Sequence, residues 1–105
     1  MAAIPATQLT QIASSLGLTE NELFRQALVS FLLERKRQTL QLKLEILARY
    51  HSDSLAELES KIARGDVPEH PAWEDLIVAE NLTARLKELD DYLDDLRSTE
   101  THRPS

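Results

Sequence analysis

From Ala72 to Leu96 the chain sets an apolar residue at nearly constant helical intervals: Ala72, Leu76, Ala79, Leu82, Leu86, Leu89, Leu93 and Leu96. After Ala79 the steps alternate three and four, the seam of a coiled coil or an antiparallel helix pair. A helix with such a stripe gains most of its stability by covering it. The fold must therefore offer a second long helical face.

That face comes from residues 19 to about 49. Thr19 and Glu22 have the spacing of a capping box, and no proline or glycine interrupts residues 18 to 64. Leu23, Phe24, Ala27, Leu28 and Phe31 then recur three and four apart. After a polar patch over residues 34 to 39, where a bend or a change of packing partner is one reading, the stripe resumes as Leu40, Leu44 and Leu47, widened by Leu42 and Ile46. Leu40, Leu44 and Leu47 are the natural match for the later seam. Leu23, Phe24, Leu28 and Phe31 are the candidate core of a dimer.

Two short helices complete the expectation. Leu9, Ile12, Ala13 and Leu16 follow helical spacing from Thr7, and Gly17 ends that helix where a positive φ is wanted. Tyr50 to Asp53 reads as a connection, Ser54 with Glu57 as another capping box, and Gly65 as the stop. Pro71 suits the first position of the last helix, with Glu74 and Asp75 in its first turn. That helix is expected to end near Arg97. The fold class is all-α: short, long, short and long amphipathic helices forming a hairpin or bundle completed by dimerisation. Residues 1–105 make a single helical domain with flexible ends at about 1–6 and 98–105, and no internal repeat or convincing strand.

Charge is unevenly spread within a net −6. Arg35, Lys36, Arg37, Lys43 and Arg49 oppose only Glu45, whereas nine acidic residues between Glu74 and Glu100 oppose Arg85, Lys87 and Arg97. An acidic final third disfavours general nucleic-acid affinity and suits a basic protein partner, or the chain's own basic middle.

The sequence offers little catalytic material. Without cysteine, disulfides, thiolate catalysis and thiol-ligated metals are excluded. His51, His70 and His102 lie in a connection, a proline-flanked turn and a tail, and none pairs at i, i+4. No nucleophile elbow or phosphate-binding glycine loop occurs. The expectation is a non-enzymatic protein with no catalytic residues, cofactor or metal. Met1 to Ala6 lacks the basic and apolar regions of a secretory signal, and no apolar run approaches about 18 residues. The localisation expected is cytoplasmic.

Residues 7–35 resemble the helix pair of ribbon-helix-helix proteins. The resemblance rests on the Leu16-Gly17 end of one helix, the Thr19 cap of the next and the Arg25-Gln26-Ala27-Leu28 run. Many antitoxins are similar, joining a small dimeric DNA-binding head to a partly disordered acidic tail that inhibits a nuclease toxin, and small regulators share the helix pair. The family's DNA-reading strand has as its counterpart here only Met1 to Ala6, without Arg, Lys, Asn or Gln. The resemblance thus implies a dimer-forming helix pair more than a DNA reader.

The functional expectation is a small protein–protein interaction module, antitoxin-like, that occludes a basic nuclease-type partner with its acidic helical region. Trp73, Leu86, Asp90, Asp91, Leu93 and Asp94 are the candidate partner-binding residues. The alternatives are a DNA-binding transcriptional regulator using residues 7–35 and a structural helical assembly protein. No membrane association is expected.

Overall fold

The computed structural model describes residues 3–101, with four helices: α1 (Ala6–Ser15), α2 (Glu20–Arg49), α3 (Leu55–Arg64) and α4 (Glu69–Thr101). The all-α expectation holds. Met1, Ala2 and residues 102–105, including His102 and much of the predicted tail, lie outside the described residues.

Helix boundaries follow local chemistry. Thr19 Oγ1 accepts the Glu22 amide at 3.1 Å and donates to the Glu22 carboxylate at 3.0 Å. Ser54 Oγ accepts the Glu57 amide at 3.1 Å, while Glu57 reaches back one residue further than predicted, to the Asp53 amide at 2.8 Å. That bond is the largest cause of a Glu57 carboxyl held below its usual range. Gly65 ends α3 in the left-handed region, with φ 78°. Regular α4 geometry starts at Pro71, because His70 is extended and joins Pro71 through a cis peptide. The last helix runs to Thr101, beyond its predicted end near Arg97.

α2 and α4 pack side by side as the predicted hairpin, so the α4 seam is covered in cis. One core gathers Leu47, Leu58, Ile62, Ala72 and Leu76 where α3 crosses the closed end, with Tyr50, Leu55 and Val67 packed against it. A second core, Leu32, Leu89 and Leu93 with Val29 and Leu96, closes the opposite half.

The α2 side of the seam corrects the sequence expectation. Leu47 is buried, but Leu40 and Leu44 face outward. The inward face instead carries Val29, Leu32, Lys36, Thr39, Lys43 and Ile46, a three-and-four series that passes straight through the polar patch. α2 remains one helix across residues 34–39. Thr39 satisfies its buried hydroxyl by donating to the Arg35 carbonyl at 2.7 Å. Lys36 meets Asp90 at 2.6 Å, with both side chains partly solvated. Aliphatic lysine stems can cover a seam while their ammonium groups stay wet.

The α2–α3 connection is fastened by polar contacts. Lys61 Nζ donates to the Tyr50 and His51 carbonyls at 2.9 and 2.7 Å, placing a cation at the carboxyl end of α2. The Tyr50 hydroxyl donates to the Asp75 carboxylate. Burial first, and then the neighbouring Asp75, push the Tyr50 phenol up to about 12. An unfolded tyrosine titrates near 10. The native chain therefore keeps this proton after the unfolded chain has lost it, so the Tyr50 contribution is complete below about pH 10 and is lost as pH rises through about 12. Urea midpoints at pH 9 and 11 should fall more steeply for the native sequence than for Tyr50→Phe; equal slopes would contradict this assignment.

The shape is long and thin, 60 × 38 × 18 Å, with a radius of gyration of 20.2 Å. A compact chain of this length would have about 13 Å. Much apolar surface is consequently left outside.

Candidate partner-binding faces

The seven-residue rhythm of α4 creates three sides. One is the seam against α2. The predicted partner-binding residues Leu86 and Leu93 lie there, Leu93 being 2% exposed and Leu86 half-buried. Leu93 is thereby corrected from a surface contact to a core residue, because the hairpin covers its own seam. Asp90 is half-buried beside them and engages Lys36, so its charge serves the hairpin too.

The second side is an outward stripe of Trp73, Ile77, Glu80, Ala84, Lys87, Asp91 and Asp94, spaced four and three apart and all exposed. Trp73, Asp91 and Asp94 are thus brought onto one face. Trp73 keeps 40% of its surface and Ile77 lies beside it one turn on, forming an apolar end. Asp91 reaches Lys87 at 3.2 Å in an exposed i, i+4 pair, which leaves the acidic end solvated. At the start of the helix, Glu74 bonds its own amide and the His70 ring, at 2.7 Å from Nδ1, and both hold its carboxyl below its usual range. The apolar end is therefore bordered by negative charge at neutral pH. The four-and-three spacing from Trp73 to Asp94 is the sequence signal that identifies this stripe.

The third side joins exposed parts of both long helices. Phe24 is 65% and Phe31 56% exposed, Leu28 is exposed, and Leu23 is half-buried. These candidate dimer residues do not form a core within one chain. Arg35 lies over the Phe31 ring, 5.2 Å from its centroid. A groove of about 500 Å³ runs beside them, lined by Phe31, Val78, Leu82 and Leu89 with Arg35 and Arg85. A second depression lies between Leu28, Leu32, Tyr92 and Leu96. Neither the α4 contribution nor the arginine rim was foreseen, since both depend on which turns of the two helices lie level.

Among the described residues, no three His, Asp or Glu side chains gather into a metal-binding group. His51 occupies the α2–α3 connection with φ 51°. No described helix is long and apolar enough to cross a membrane. The described residues before α1 show no strand.

Comparison with known families matches residues 1–101 to the family described as Uncharacterized protein MJ0235 family. No curated protein matches the chain. No solved structure matches it either.

Proposed function

We propose, for a chain that belongs to the Uncharacterized protein MJ0235 family, the role of a non-enzymatic, antitoxin-like interaction module that works as a homodimer and occludes a basic, nuclease-type protein. The observation that carries this reading is the outward stripe of α4, where Trp73 and Ile77 stand in line with Glu80, Asp91 and Asp94. A tryptophan desolvated by a partner is a strong binding anchor. Carboxylates further along the helix attract a cationic surface and raise the encounter rate.

Occlusion requires no bond-breaking chemistry. The acidic stripe takes the place of phosphate on the basic partner, while Trp73 and Ile77 exclude water at the other end. The rigid hairpin presents both ends at fixed separation: Trp73 to Asp94 spans about 32 Å at 1.5 Å per residue.

Affinity recovery with the tagged full chain from its native cell extract, followed by mass measurement, tests the reading. A basic protein should be retained in near-equal amount and released as salt rises from about 0.1 to 1 M, as charge pairs are screened. Recovery of acidic proteins only, or binding of labelled duplex DNA by the chain alone at low salt, would overturn it.

A further inference from the structure

We infer that α1 is a hinged strap: it melts and refolds as a unit next to Gly17 while α3 and the α2–α4 hairpin stay folded, and in its closed form it covers Leu23. This inference is independent of the basic partner and of the homodimer.

Two short helices of equal length make the comparison. α1 and α3 each span ten residues, a length at which an isolated helix is marginal in water, so each depends on its ends and its packing. α3 has both. Its Ser54 cap accepts the Glu57 amide, Lys61 and Arg64 occupy its last turn, and Leu58 and Ile62 are buried in the core at the closed end. α1 has little of either. Pro5 stands at its cap without a side-chain bond, and its first and last turns carry no acidic and no basic residue respectively. Thr7, Thr10, Ile12, Ser14 and Ser15, weak helix formers, make up half of it. Ala13 is its one buried residue, while Ile12 and Leu16 are exposed.

What holds α1 closed is local. The Leu18 amide donates to the Ala13 carbonyl at 2.9 Å, closing the turn around Gly17, whose φ is 72°. The Thr10 hydroxyl meets the Glu20 carboxylate in an exposed contact. The main packing of α1 is against α2, and it takes no part in either core. On α2 the covered residue is Leu23. Glu34 and Gln41 lie 11 and 18 residues further on, close to whole numbers of turns, so the three share one face, opposite the inward row of Leu32, Lys36 and Thr39. Glu34 and Gln41 are exposed there, yet Leu23 is half-buried. The helix that packs on this end of α2 is α1, so melting it bares Leu23 beside the exposed Phe24.

The test is amide hydrogen exchange of the full chain by NMR at about pH 7. Amides of residues 10–16 should be protected only about 10–100-fold, and those of residues 58–64 at least about a hundredfold more, because a weakly packed unit opens without the core. Pro5→Asp supplies the missing cap and should raise α1 protection about fivefold with α3 unchanged. Ala13→Asp should abolish α1 protection and shift the Leu23 methyl resonances, while α3 protection and the urea midpoint stay native. Equal protection in α1 and α3, unmoved Leu23 methyls, or loss of α3 protection in Ala13→Asp would overturn the inference.

Discussion

Leu58→Ala lowers the unfolding free energy by about 2–5 kcal/mol, the range for truncating a buried leucine. Leu58 is 0% exposed and lies between Leu47 of α2, Ile62 of its own helix and Ala72 and Leu76 of α4. Three helices meet at this side chain, and the adjoining alanine has no bulk with which to fill the void. Total stability in small domains is commonly only about 5–15 kcal/mol, so the loss is a large fraction of it. Urea unfolding followed by circular dichroism should show a lower midpoint. Leu40→Ala, at an exposed site on α2, should change stability by no more than about 0.5 kcal/mol. Equal losses at the two positions would contradict the described core.

Trp73→Ala weakens binding to the recovered basic partner by at least about 2 kcal/mol, or about 30-fold, as expected when a central aromatic anchor is removed. Its neighbour Ala72 is fully buried and fixes the first turn of α4 against the closed core, while Trp73 points to the exposed side. The substitution should therefore affect recognition much more than folding. Titration calorimetry measures the first effect and the urea midpoint the second. A large midpoint shift with unaltered affinity would assign Trp73 to the fold instead.

The hairpin could be read from sequence because its strongest signals are local. The Ser54 and Thr19 caps, Gly65, Pro71 and the regular α4 seam each report a preference met within a few residues. The matching seam on α2 could not be chosen by residue type alone. Leu40 and Leu44 were attractive partners, yet the inward row passes through Lys36, Thr39 and Lys43, of which Thr39 is buried and the two lysines half-buried. Lys36 opposite Asp90 is a long-range pairing, visible only once the helices are placed.

The same distinction governs the candidate sites. Trp73, Asp91 and Asp94 share a spacing that sequence already contains, so their common face was accessible to inspection. Leu86 and Leu93 belong to a different face and are engaged by the chain itself. Phe24, Leu28 and Phe31 were expected to seek a partner, and a single chain leaves them uncovered. The depression that Leu28 shares with Tyr92 depends on which turns of α2 and α4 lie level.

The proposed occlusion by α4 is tested most directly by the affinity of the recovered basic partner for the native chain and for an Asp91→Lys, Asp94→Lys variant, measured at about 0.1 and 0.4 M salt. The native complex should weaken steeply with salt, and the variant should bind at least tenfold more weakly at low salt while retaining native helical content and self-association. Equal affinities for the two chains at both salt concentrations would contradict the proposal that the acidic stripe meets the partner.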